Sequence, residues 1–165
     1  MCVVYGVDKM LSFASGVTSD SMLLAGGAAV VGCSCHMIGF AVASFRENGF
    51  SGLISQGVGT SMLQIPNIMK KPVIMLPEII ASAILGPIST CVFGLKCNAA
   101  GGGMGTSGLV GVFGVIDASA SLEPAVMILG IVLLMFVLPA VICYVCSEIF
   151  RKLGWIKEGD QALTR

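Results

Sequence analysis

The chain reads as an all-α integral membrane protein with about three transmembrane helices and two glycine-rich re-entrant segments, and three features lead there. Apolar residues make up 56% of the sequence, charged residues only 11%, and the mean hydropathy is +0.97, values outside the usual range of soluble domains. Three apolar runs are each long enough to cross a bilayer as a helix. Between them a GxGTSxL motif is written twice, as Gly57-Val58-Gly59-Thr60-Ser61-Met62-Leu63 and as Gly103-Met104-Gly105-Thr106-Ser107-Gly108-Leu109, 46 positions apart.

Met1 to Ser19 has a short apolar start and then Asp8 and Lys9, with no basic region ahead of a cleavable apolar core, so it does not read as a signal peptide. It resembles the tail of a preceding element of a larger membrane protein. The first span, Met22 to Phe45, has 24 residues between Asp20 and Arg46-Glu47. Its glycines, Gly26, Gly27 and Gly32, permit close helix packing, which predicts that this span faces protein. The second, Pro72 to Leu95, is entered through Lys70-Lys71 and left before Lys96, and Pro77 and Pro87 inside it predict a kink. The third, Leu122 to Cys146, is interrupted by Gly130 and Pro139, and the proline predicts a bend.

Gly49 to Met69 and Asn98 to Ile116 are too polar and glycine-rich for spans and too apolar for ordinary loops. Irregular backbone at membrane depth is tolerated only where protein buries it or a wet cavity lines it, so each stretch is expected to dip in and return. Five ordinary spans are the alternative. Arg151, Lys152 and Lys157 follow the third span, while Asp117 and Glu123 precede it, which predicts a cytoplasmic C-terminus. Lys70-Lys71 and Arg46 then lie inside, with Lys96 the one exception. The two GxGTS stretches enter from opposite sides, an inverted pair of the kind that brackets substrate sites in secondary transporters.

Nine basic and nine acidic residues balance, so no charge excess points to nucleic acid. Cys33, Cys35, Cys91, Cys143 and Cys146 lie in apolar runs and read as packing residues. Cys33-Ser34-Cys35-His36 lacks a fourth ligand and Cys143-Tyr144-Val145-Cys146 lacks a second pair, so no metal site is expected, and no cofactor. His36 and Glu78 are the ionisable residues inside the runs, where a charge costs about 2.5 to 3.5 kcal/mol on insertion scales. At ~1.5 Å per residue they lie roughly 14 Å and 9 Å from the inner ends of their spans. Paired, they would hold a proton or orient a hydroxyl; apart, Glu78 reaches the interface and His36 bonds a backbone carbonyl.

The residues expected to bind substrate are His36, Gln56, Gly57, Gly59, Thr60, Ser61, Gln64, Glu78, Asn98, Gly103, Gly105, Thr106 and Ser107. Amides and hydroxyls donate and accept together, which suits an uncharged, hydroxyl-rich ligand, and glycines let backbone groups approach it. Free carbonyls coordinating an ion are an equally legal use. From Glu148 on, Ile149, Phe150, Leu153 and Ile156 form a stripe beside Trp155, resembling an interfacial anchor, and residues 148–165 are expected to form a short cytoplasmic tail.

Three blocks, Gly57 to Ile68, Ala81 to Thr90 and Asn98 to Gly111, resemble the enzyme IIC-like membrane proteins of the phosphotransferase system, in the branch that includes regulators of the perfringolysin-regulator type. The resemblance implies a bacterial inner-membrane permease subunit that binds a sugar and passes it to IIB and IIA partners for phosphorylation. It implies no covalent chemistry by this chain, whose 165 residues match a C-terminal half and form one membrane domain. A homodimer or a companion N-terminal half is then expected. A non-transporting regulator of the same fold and an ion- or proton-coupled carrier are the competing readings.

Overall fold

The computed structural model describes residues 19–120 and 122–163; the leader reading of residues 1–18 lies outside them. Helix α1, Ser19–Ala43, is followed by α2, Phe45–Ile54, which bends at Gly49 (φ 60°, ψ −156°) and runs on as a π turn, Ser55–Gly59. After an extended Thr60, a 3-10 turn at Ser61–Gln64 leads into α3, Ile65–Lys70, and a second at Pro72–Met75 opens α4, Leu76–Cys91. The single turn α5, Ala99–Gly102, precedes a 3-10 turn at Ser107–Leu109 and α6, Val110–Ala118. Helix α7, Pro124–Ile131, continues through π turns at Val132–Val137 into α8, Leu138–Lys152.

Three helices are long and apolar enough to cross a membrane: Ser21–Ala43, Pro72–Cys91 and Pro124–Lys152, of 23, 20 and 29 residues. At ~1.5 Å per residue they measure about 35, 30 and 44 Å, against a hydrocarbon core of ~30 Å. The protein is therefore an all-α membrane protein with three helices of spanning length and, among the described residues, no strand. Neither glycine-rich stretch holds a helix of that length; the longest apolar helical piece there is Ser107–Ala118. Both interior prolines lie within continuous helical stretches. Helix α4 runs through Pro87, and the π turns just before Pro139 widen the helix where its ring would otherwise press on the Met135 carbonyl.

The long helices alternate in direction. At one end Arg151 donates to the Ala43 carbonyl (3.2 Å), Arg46 pairs with Glu148 (3.3 Å) and Lys71 with Asp160 (2.6 Å). The C-termini of α1 and α8 and the N-terminus of α4 therefore lie together. At the other end the Cys97 N–H donates to the Leu23 carbonyl (2.9 Å), and Ser119 and Lys96 bond each other. Helix α1 is the hub: Val30, Val31 and Cys35 share one buried core with Ala81 and Leu85 of α4, Cys97 and Val115 of the 96–119 stretch, and Leu134, Met135 and Cys143.

Apolar side chains surrounded by lipid gain little from burying one another, so small residues that let backbones approach hold such helices together. Gly26 and Gly27 do this for α1: a Cβ on either would overlap the carbonyl oxygens of Cys97 and Leu95, which belong to backbone and cannot swing away. On the same helix a Cβ at Gly32 would meet only Ser82, at 3.9 Å. Gly27→Ala is expected to cost about 1–3 kcal/mol, the range for overpacking, while Gly32→Ala is tolerated; thermal unfolding in detergent compares the two.

Candidate functional site at the junction of two hairpins

Each GxGTS motif sits at the tip of a hairpin, and the hairpins enter from opposite ends of the bundle. The first leaves at Ser44 and returns at Lys71, the end where Arg151 and Asp160 gather. The second leaves at Lys96 and returns at Ser119, which both donates to the Lys96 carbonyl (2.8 Å) and accepts from its N–H (2.9 Å). The tips touch. The Thr106 hydroxyl donates to the Gly57 carbonyl at 2.6 Å and the Ser107 hydroxyl to the Gly59 carbonyl at 2.8 Å.

The chemistry of that meeting follows from how the first hairpin breaks. Carbonyls at the end of a helix have no partner within it, and the chain leaves helical geometry at Thr60 (φ −156°, ψ 136°) just past the π turn. Hydroxyls from the second motif supply donors to two of those carbonyls. Thr60 uses its own oxygen locally, accepting from the Met62 N–H (3.1 Å). On the other side Gly105 adopts φ 56° and a Cβ there would press on the Cys33 and Ser34 backbone of α1, so the second tip rests directly on the hub helix. Gly108 and Leu109 follow at φ 52° and 60°; for a leucine the left-handed conformation costs roughly 1–2 kcal/mol, a strain held at the turn that presents both hydroxyls.

The junction grades from buried to exposed. Gly57, Gly105 and Thr106 are buried, Ser61 and Ser107 are half-buried, and Gly59, Thr60 and Gly103 are exposed. Thr106 touches Met37, also buried. Met37 lies about 9 Å from the C-terminal end of α1 at ~1.5 Å per residue.

Gln56 and Gln64 lie behind the junction and are fully buried. Gln56 donates to the Ser44 hydroxyl (2.8 Å) and accepts from Gln64 (3.0 Å); Gln64 also donates to the Gln161 carbonyl (3.0 Å) and accepts from Asn67 (2.8 Å). Their amides are taken up by protein. Asn98 lies at the base of the second hairpin, where it accepts from the Gly101 N–H (2.8 Å) and donates to Asp117 (3.3 Å).

Glu78 is on the far side of α1. A Cβ at Gly39 would meet Glu78 and Cys143 at 2.8 Å, whereas Gly57 faces Ala41 and Ile38. At about 100° per residue, Gly39 points roughly 180° away from Val30, which faces Gly111 of the second hairpin. Helix α1 thus separates Glu78 from the junction. The carboxylate is fully buried and neither of its oxygens has a hydrogen-bond partner, so the His36 pairing considered from sequence is not made; His36 is half-buried and lies against Phe40.

The sequence reading missed a polar floor beneath the junction. Residues 160–163 fold back onto it: Asn48 donates to the Gln161 carbonyl (2.9 Å) and accepts from the Leu163 N–H (2.8 Å), Asn67 donates to the Ala162 carbonyl (3.0 Å), and Glu47 accepts from the Gln161 N–H (2.8 Å). Arg151 ties Glu47 (2.9 Å) to the Gln161 side chain (3.0 Å). Residues 160–163 are docked, and of the proposed anchor stripe Ile156 is buried while Ile149 and Leu153 are exposed. Trp155 stacks on Phe150 at 5.4 Å. The available signal was the Gln64 and Asn67 pair, two amides on one short helical face that burial obliges to find partners.

A helical membrane bundle with two opposed, tip-to-tip hairpins is the class of protein these features define. A family model, that of the phosphotransferase system EIIC proteins, matches residues 11–163, and the chain belongs to that family. Membership implies dealings with a sugar and with other phosphotransferase components in general. No curated protein matches the chain, and no solved structure does.

Two expectations follow. Thr106→Val keeps the shape but leaves the buried Gly57 carbonyl without its donor, so it should cost about 1–3 kcal/mol, and Ser107→Ala at the more exposed position less; thermal unfolding in detergent ranks them. The second concerns Asp160. Burial disfavours its charged form, but the hydrogen bonds from Lys71 and the Lys157 N–H, with the charges of both lysines, outweigh burial and hold the carboxyl below the usual carboxylate range. A lowered folded-state pKa stabilises the docked tail above the unfolded value of about 3.9 and loses that contribution as pH falls through the folded value. Fluorescence of Trp155, the one tryptophan, should therefore hold steady from neutral pH to about pH 4 and change below it.

Proposed function

We propose that the chain is the sugar-binding and translocating subunit of a phosphoenolpyruvate-dependent phosphotransferase permease, with its sugar site at the hairpin junction. The observation that carries this reading is the pair of hydroxyl-to-carbonyl bonds from Thr106 to Gly57 and from Ser107 to Gly59. A hydroxyl that donates to a carbonyl keeps lone pairs to accept from another hydroxyl, and Gly59, Thr60 and Gly103 are exposed beside it. A sugar hydroxyl can take over the Ser107 to Gly59 bond without leaving a polar group unpaired. In this reading Gly57, Gly59, Thr60, Ser61, Gly103, Gly105, Thr106 and Ser107 form the site, with Gln56 and Gln64 holding the first tip from behind.

The hairpins are then re-entrant segments, with the end bearing Arg46, Lys70, Lys71, Arg151 and Lys157 on the cytoplasmic side of a bacterial inner membrane. IIB and IIA components would receive the sugar there. Exposed Phe50, Met62, Met69 and Phe113 suit lipid, a second copy or a companion half. A second reading, a proton-coupled carrier, draws on Glu78, a buried carboxyl without a partner between α1, α4 and α8.

Uptake of a labelled sugar panel into vesicles separates the readings. Uptake that needs phosphoenolpyruvate and a IIB protein, and that falls tenfold or more in the Thr106→Val, Ser107→Ala double variant, is the expected outcome. A requirement for a pH gradient, abolished by Glu78→Gln, would select the carrier instead, and no uptake under either condition would leave a regulator.

A further inference from the structure

The docked segment, residues 160–163, is bound largely by its main chain. Asn48 grips it at two points, the Gln161 carbonyl and the Leu163 N–H, while Gln64 shares the Gln161 carbonyl, Asn67 donates to the Ala162 carbonyl and Glu47 accepts from the Gln161 N–H. Lys71 holds Asp160 beside them. Side-chain amides paired to a non-helical segment in this way form a groove that reads polypeptide backbone, and its occupant is the chain's own residues 160–163.

The groove is wired to the junction. The Gln161 carbonyl accepts from Gln64, Gln64 donates to Gln56, and Gln56 adjoins Gly57, whose carbonyl receives the Thr106 hydroxyl. Every group in the chain is buried. When the segment leaves, Gln64 and Asn67 lose the acceptors Gln161 and Ala162, and buried donors without acceptors do not stay in place. Residues 160–163 are not helical, their anchors are hydrogen bonds and one ion pair, and Asp160, Ala162 and Leu163 are only half-buried, so this is the piece of the floor most easily detached.

We propose that Asp160–Leu163 is a releasable clasp: docked, it fixes Gln64 and Gln56 and so holds the first GxGTS tip against the second; released, it frees the first hairpin to move. The proposal rests on the hairpin junction being the working site, but its test reads the junction directly and needs no sugar. Asn48, Gln64 and Asn67 are positioning residues in this scheme.

The test is hydrogen–deuterium exchange of the whole protein in lipid nanodiscs. Asn48→Ala removes two hydrogen bonds to the clasp and touches neither Gln56 nor the tips, and a chain ended at Gly159 removes the clasp without altering the bundle. Both are expected to raise exchange about tenfold, the factor for two ordinary hydrogen bonds, in residues 55–64 and 103–109, with residues 79–90 of α4 unchanged. Leu85→Ala, a core change in α4, serves as the control for general loss of stability and is expected to give a different pattern. Faster exchange at residues 160–163 alone in Asn48→Ala, with both tips as in the wild type, would overturn the clasp, as would a uniform rise matching that of Leu85→Ala. Coupled exchange of clasp and tips in a protein that binds no sugar keeps the clasp and removes the sugar reading.

Discussion

Carbonyl groups that a broken helix leaves inside an apolar bundle must be given donors by the protein, and the rest of this structure is arranged around meeting that demand. The first hairpin stops being helical at Thr60, and the hydroxyls that answer it arrive from the opposite end of the molecule, on Thr106 and Ser107. Bringing them there requires a hub helix that both hairpins can lie on closely. Gly26 and Gly27 admit the start of the second hairpin, and Gly105 sets its tip on Cys33 and Ser34. The polar floor is the same demand met on the other side, where buried Gln64 and Asn67 borrow acceptors from Gln161 and Ala162, about a hundred residues away.

Helix α1 thus has two working faces. One carries both hairpins; the other packs on α4 and α8 and encloses Glu78 beside Gly39 and Cys143. Cys143 donates weakly to the Cys35 and Pro77 carbonyls at 3.8 Å, so its thiol acts as a small packing group with a soft polar contact. A change on α1 is consequently felt in two places.

Much of this was legible in the residues. Run lengths fixed the three spanning helices, because an apolar stretch of twenty residues has few other uses, and the duplicated glycine and hydroxyl motif marked the two places where helices break. What could not be read was which polar groups meet. Gln56, Gln64 and Asn98 looked as free as Thr106 because a sequence states a donor without stating its acceptor, and the acceptors of Gln64 lie in residues 56 and 161. The side of α1 on which Glu78 falls was equally hidden: depth along a helix follows from counting, but the face it meets on another helix depends on packing. The tail was read as a short cytoplasmic tail with an interfacial stripe because its composition is polar past Trp155, and polarity is also what a buried amide seeks.

Gly49, with its φ of 60°, gives the first hairpin the mechanics of a lever. From this pivot to Gly59 the arm spans about 15 Å, ten residues at ~1.5 Å each. Tilting such an arm by about 10° carries its tip about 2.6 Å, roughly the full length of a hydrogen bond. A rotation of that size would part both tip bonds, so the bonds that Gln56 makes to Ser44 and Gln64 along the arm set whether the tips stay latched.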